Sequence, residues 1–245
     1  MQRLMLGTVA TLAAMTLAAM TLAAGVSAYE GGAVADGGSI SGTVKYQGDP
    51  PAPAKIAVTK DNDVCGKEKT SPDLIVGADK GIANVVVRIT NITKGKAMTV
   101  PTTNPVFDQK GCEYAPHVLA FPAGSTVSIQ NSDGILHNVH TTSTANPSFN
   151  QAQPKFKKQI DAKIDKPEFP IKVQCDAHGW MHAWWVSEDH PYYAVTDAKG
   201  AFKIADVPPG DYEVEFWHET LGKQTQKVSV KAKEDAKVNV QMAKK

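Results

Sequence analysis

The chain carries almost no excess of one charge: 26 Lys and Arg stand against 25 Asp and Glu. That balance argues against a large nucleic-acid or membrane-surface interface, which needs a basic patch. Helical periodicity is missing as well. Beyond the N-terminal run, no stretch repeats apolar residues every ~3.6 positions between good caps, so short strands and frequent turns are left, and an all-β fold. The usual catalytic signatures are also lacking. There is no G-x-S-x-G elbow, no Gly-rich phosphate loop and no paired His-x-His, and His218-Glu219 fails as H-E-x-x-H because position 222 is Gly. The expectation is a protein that is not an enzyme.

Cysteine is scarce and odd in number: Cys65, Cys112 and Cys175. In an oxidising compartment an odd count points to one disulfide and one thiol kept for other chemistry. The compartment is suggested by the start of the chain. Arg3 precedes an apolar run to Ala24, and Val26-Ser27-Ala28 matches a small-residue cleavage site, so residues 1–28 read as a signal peptide. Its many Ala and Thr residues make it a weak membrane span. Cleavage would leave a formally neutral chain, periplasmic or secreted, with no membrane insertion and no nucleic-acid partner.

What is present centres on Cys175-Asp176-Ala177-His178-Gly179-Trp180-Met181. A thiol, an imidazole and a thioether stand at C-x2-H-x2-M spacing. Sulfur ligands favour reduced copper, and nitrogen ligands tolerate the oxidised ion. The preceding run, Phe169 to Cys175, places Ile171, Val173 and Cys175 on one strand face. A second nitrogen must come from elsewhere, and Asn131–His140 is the best source. His137 and His140 lie three apart, so a strand points them to opposite faces; His137 is taken as the ligand and His140 as its neighbour. With Cys175 assigned to the metal, Cys65 and Cys112 are left to pair.

The run Phe121-Pro-Ala-Gly-Ser-Thr-Val-Ser-Ile-Gln-Asn-Ser-Asp, then His137-Asn138-Val139-His140, then Cys175, His178 and Met181, resembles the cupredoxins, amicyanin and plastocyanin-like blue-copper proteins above all. The resemblance covers about residues 104–188. It implies a Greek-key β-sandwich and one mononuclear Cu(I)/Cu(II) ion held by His137, Cys175, His178 and Met181. It also implies that Asn138 ties the two ligand loops together. One-electron transfer with a redox protein partner follows. Trp180, His182, Trp184 and Trp185 depart from the family pattern. Trp180 forms either part of an apolar docking patch round an exposed edge of His178 or part of a buried cluster against a neighbouring domain, while Trp184 and Trp185 are expected in the core or between the domains. His182 is a competing ligand.

A second resemblance lies at the C-terminal end. Thr196-Asp197-x-x-Gly200-x-Phe202 and Val207-Pro208-Pro209-Gly210-x-Tyr212-x-Val214 are similar to the carboxypeptidase regulatory-like domain, a small transthyretin-like sandwich. That family opens with strands like Gly42-Thr43-Val44 and Ala83–Val87, which lie far upstream here. The expected organisation is therefore discontinuous. Residues 29–103 and 191–245 form the regulatory-like sandwich, and 104–190 form the cupredoxin-like unit between them. An alternative function is a non-redox cell-envelope or glycan-binding module with a structural or storage copper.

Within these units, weak strands are expected at Lys55–Val58 and Leu74–Val76. Residues 141–158 should form a long loop, and the Lys-rich segments 155–166 and 223–237 solvated β-edges or loops. His117, His190 and His218 are expected at the surface or as satisfied structural histidines.

Overall fold

A computed structural model describes residues 28–244. The expected signal peptide, 1–28, lies almost wholly outside the described residues. Among those described, the one α-helix is the single turn Asn62–Cys65, and the remaining elements are strands. The chain is all-β.

Two sheets build the part that carries the cysteine loop. One has five strands in the order Asn150–Gln153, His137–Thr142, Glu168–Gln174, His182–Glu188 and Val118–Pro122. The other has four: Gln159–Ile164, Ser125–Asn131, Val106–Gln109 and Tyr114–Ala115. Period-two alternation turns Val127 and Ile129 of one sheet, and Ile171 and Val173 of the other, into one shared core. Trp185 sits at its centre, fully buried, with Phe107 edge-on at 5.2 Å and Phe121 at 6.1 Å. Burying each such side chain contributes about 1.5–3 kcal/mol, which makes this core the anchor for the loops at its end.

A second pair of sheets joins strands from both ends of the chain. Gly38–Tyr46 pairs with Ala201–Val207 on one side and with Asp235–Lys237 and Val240–Met242 on the other. Val86–Ile89 lies between Tyr193–Val195 and Gly210–His218, and Gly222–Val230 forms the edge. Their buried faces share Ile40, Val44, Val87, Ile89, Phe202, Ile204, Val214 and Phe216. Gly42 is required in the central strand, because a Cβ there would lie 1.7 Å from the Val238 carbonyl oxygen. Val58 and Cys65, although N-terminal, belong to the first core, and Cys65 is bonded to Cys112.

The sandwiches meet at a small apolar cluster. Val86, Val118 and Val186 are its buried members, with Phe169, Trp184 and Trp217 against them. Trp217 stands edge-on to both Trp184 and Phe169, each at 5.4 Å. Arg88 crosses the boundary, bonding Glu188 at 2.9 Å while its guanidinium lies over the Phe169 ring. Burial pushes the Glu188 carboxyl up to about 7, against the pull of Arg88.

Several local expectations need correction. Residues 141–158 are not one long loop: Asn150–Gln153 is a strand paired with His137–Thr142. Its polar residues hid it, yet Gln153 is fully buried, bonded to Gln109 and to the Ile129 carbonyl. Leu74–Val76 forms no strand and makes only a bridge from Val76 to Ile82. His117, His190 and His218 follow the second half of their expectation: they are buried structural histidines, bonded to Glu219 and to the amides of Tyr192 and Thr220 respectively.

Candidate metal centre

His137 begins the strand His137–Thr142, directly after the Ser132-Asp133-Gly134 turn, and points into the core. His140, three residues on, is half-buried on the opposite side with Nδ1 at 3.1 Å from Asp176. Cys175 leaves the end of Glu168–Gln174, where its strand face is the buried one. The chain then reverses tightly. The Met181 amide donates to the His178 carbonyl at 2.9 Å, and the Cys175 amide donates to the Met181 carbonyl at 3.0 Å. That closed loop returns His178 beneath Cys175 and buries Met181.

The structure therefore brings His137, Cys175 and His178 together, with one ligand atom of each within 4.8 Å of the others. The two Nδ1 atoms face each other at 3.0 Å, and His178 Nδ1 lies 3.8 Å from the Cys175 sulfur. Both rings are fully buried. Each outer nitrogen meets a carboxylate: His137 Nε2 lies 2.9 Å from Asp133, and His178 Nε2 lies 2.8 Å from Asp61. An acidic partner on the outer N–H turns the bare nitrogen toward the centre and makes it a better donor to a cation.

Charge in the cluster is arranged to match. Burial opposes a charge on His137, but Asp133 and Cys175 outweigh it and raise its pKa to about 9. Burial lowers that of His178 despite Asp61. Burial also works against a Cys175 thiolate, yet His137 and nearby backbone amides win and hold the thiol below its ordinary range. Two imidazole nitrogens thus face each other beside a thiol inclined to ionise, a donor set that fits a thiophilic metal.

Asn138 holds the two loops in register. Its side-chain oxygen accepts from the amides of Asp176 (2.7 Å) and Ala177 (3.1 Å), and its side-chain amide donates to Asn150 at 2.7 Å. Its own carbonyl accepts from the Tyr114 hydroxyl at 2.6 Å. The disulfide touches both aspartates in different ways: the Cys65 amide donates to the Asp61 backbone carbonyl, and the Cys112 amide donates to the Asp133 carboxylate.

No exposed edge of His178 exists. Asp61, reached across 117 positions of sequence, covers the ring nitrogen, and Trp180 packs beside the ring at 5.0 Å. Trp180 is half-buried, its indole N–H bonded to the Cys112 carbonyl. Trp185 is core and Trp184 lies between the sandwiches. His182 turns away from the cluster toward Asp73 and Glu219. Sequence reasoning missed Asp61 and Asp133. Asp133 had a usable signal, four residues before a histidine in a tight turn, but Asp61 had none.

Residues 185–243 match the carboxypeptidase regulatory-like domain. No curated protein matches the chain. Among solved structures, the chain is similar to an oxidized point mutant of amicyanin, at 22% identity and a TM-score of 0.32, over 38% of this chain and 89% of that one. It is similar to a purple cupredoxin from Nitrosopumilus maritimus, at 18% identity and a TM-score of 0.30, over 35% of this chain and 100% of that one. It is also similar to a Cu-containing nitrite reductase from Thermus scotoductus SA-01, at 18% identity and a TM-score of 0.33, over 38% of this chain and only 24% of that one. The likenesses found are thus to a carboxypeptidase regulatory-like domain near the C-terminal end and, among solved structures, to cupredoxins.

Proposed function

We propose that this chain is a mononuclear copper protein that passes single electrons to and from a redox partner protein, with His137, Cys175, His178 and Met181 as the ligands. The observation that carries the reading is the buried meeting of two imidazole Nδ1 atoms and one thiol kept out of the disulfide. When bound, copper supplies exchange between Cu(II) and Cu(I), which thiolate and imidazole ligands together make accessible. The protein's part is to hold the donors still. Asn138 locks the loops, Asp133 and Asp61 orient the rings, and burial excludes water. Asp61, whose side chain is 38% exposed, offers one way from the buried ring of His178 to the surface where a partner would dock.

In this reading, residues 29–103 and 191–245 form a split regulatory-like sandwich and 104–190 the copper unit, in a protein exported to the periplasm or secreted. The disulfide suits that compartment. Among the described residues no helix is long and apolar enough to cross a membrane.

Titration with Cu(II) is expected to give an intense visible absorption from the copper–thiolate bond, and Cys175→Ser to abolish it. A colourless adduct, or colour indifferent to that substitution, would refute the reading. The second sandwich favours one other: an envelope-binding module whose copper is structural or stored. Voltammetry separates them, since a copper that does not cycle between its two states belongs to the second.

A further inference from the structure

A second cluster of ligand atoms lies where the two sandwiches meet, formed by residues the copper reading does not use. His117 directly precedes the strand Val118–Pro122 and His182 opens the neighbouring strand, the two joined by the hydrogen bond from the Trp184 amide to the His117 carbonyl at 2.9 Å. Their rings lie edge-on, 5.3 Å apart. Glu219 reaches them from the turn after Gly210–His218, in the other sandwich. One of its oxygens contacts His117 Nε2, and the other lies 3.4 Å from His182 Nε2. Asp73 adds a carboxylate oxygen 2.9 Å from the same His182 nitrogen. One ligand atom each from His117, His182 and Glu219 falls within a sphere of mutual distances under 4.8 Å.

Hydrogen bonds alone leave this cluster incomplete. The Asp73 Oδ1 is buried without a hydrogen-bonding partner, although His182 stands beside it. A buried oxygen without a partner calls for a missing proton, water or cation. The surroundings resemble the support of a ligand: Trp184 donates its indole N–H to Glu219 at 2.7 Å and holds that carboxylate in place.

From these contacts we infer that His117, His182 and Glu219 form a second metal site, for a divalent ion of the zinc or copper(II) kind, clamped between the two sandwiches, with the Asp73 carboxylate supporting His182. Two imidazoles and a carboxylate, without sulfur, are a borderline donor set that suits such ions. Ligands at about 2.0–2.1 Å from a tetrahedral zinc stand roughly 3.3 Å from one another. The His182–Glu219 contact of 3.4 Å meets that spacing. Thr220 ties the acidic half together, its hydroxyl donating to the Asp73 carbonyl at 2.6 Å. A cavity of about 140 Å³, lined by His117, His182, Met181, Trp180 and Tyr114, lies alongside and leaves room for a water or small anion on the ion. The site does not depend on copper at Cys175, but His182 follows Met181 directly, so the two centres are neighbours in sequence and share a cavity wall.

The test uses the full chain carrying Cys175→Ala and His178→Ala, which removes the first donor set. It is dialysed against Zn(II) in one arm and Cu(II) in another, and bound metal is counted by mass spectrometry. One equivalent is expected in at least one arm. Adding His117→Ala or His182→Ala should remove it, and Glu219→Gln should weaken it by at least the roughly 10–100-fold typical of supporting residues. No bound metal in either arm, or metal indifferent to all three substitutions, overturns the inference. The unmodified chain provides a second measurement should the variants misfold. Zn(II) should raise its thermal midpoint with increasing concentration, and His117→Ala should reduce that rise; a rise unchanged by His117→Ala counts against the site. Because the first test lacks Cys175, its result stands whether or not the blue-copper reading holds.

Discussion

Asp61 and Asp133 hold the outer nitrogens of the two central histidines, and they do so under different constraints. Asp133 is tied down by the amides of Gly111 and Cys112 as well as by His137. Asp61 adopts a left-handed backbone conformation, φ 52°, at the start of the single helical turn, a region that Asp tolerates better than most residues. Its carboxylate strengthens His178 as a donor and so favours the more highly charged metal state. Asp61→Asn keeps the shape and removes the charge. In the copper-loaded protein its reduction potential should rise by tens of millivolts, a tenfold change in the redox equilibrium being about 59 mV. Voltammetry showing no rise would mean that Asp61 only packs against the ring.

At the level of the element, polar residues repeatedly take structural roles that alternation alone would not assign to them. The loop over residues 143–146 is bound by Glu168, which accepts from the Ser143 hydroxyl, the Thr144 amide and Asn146. Burial disfavours the charged form, yet these bonds prevail and lower the carboxyl to about 2 from an ordinary 4.5. The folded-state pKa is depressed, so the stabilisation is present above about pH 4.5 and is lost as pH falls through about 2. Glu168→Gln should flatten that acid limb in thermal melts and lower the midpoint at neutral pH by about 2–4 °C. An unchanged limb would place the acid sensitivity elsewhere. The same polar bonding explains why Asn150–Gln153 escaped notice as a strand. Conversely, Gln159–Ile164 and Gly222–Val230 are edge strands with Lys on their open faces, as their charge pattern suggested.

Across the whole molecule, the Cys65–Cys112 bridge connects an N-terminal excursion to the core under the candidate metal centre. It closes 47 positions of sequence, which restricts the unfolded chain by about 4 kcal/mol. Asp61 leans on one half-cystine, while Asp133 and Trp180 lean on the other. The double substitution Cys65→Ala, Cys112→Ala should therefore lower stability by about 2–4 kcal/mol and also shift the absorption and potential of bound copper. Denaturant melts and spectra taken together check this; a stability loss with an unaltered spectrum would separate the bridge from the site. The boundary between the sandwiches is also more than a seam, since it combines Arg88, Glu188 and three large aromatic rings with the His117–His182–Glu219 cluster.

The sequence by itself determined the strand-rich class, the pairing left to Cys65 and Cys112, and the meeting of His137 with Cys175 and His178. Alternation sets which face of a strand is buried, and the spacing of Cys175, His178 and Met181 survives any packing of the strand that carries it; His137, far upstream, is joined to them by the motif resemblance, and the pairing of Cys65 with Cys112 by assigning Cys175 to the metal. Only the tertiary structure decided that Asp61 covers His178, that His182 faces Glu219, and that Val58 and Cys65 pack in the core of the other sandwich. The Asp61–His178 and His182–Glu219 contacts join positions 117 and 37 residues apart. No periodicity connects residues so distant; they meet because the N-terminal excursion carrying Asp61 packs on the core under His178 and because the strand leading to Glu219 packs against the other sandwich, and that packing leaves no trace along the chain.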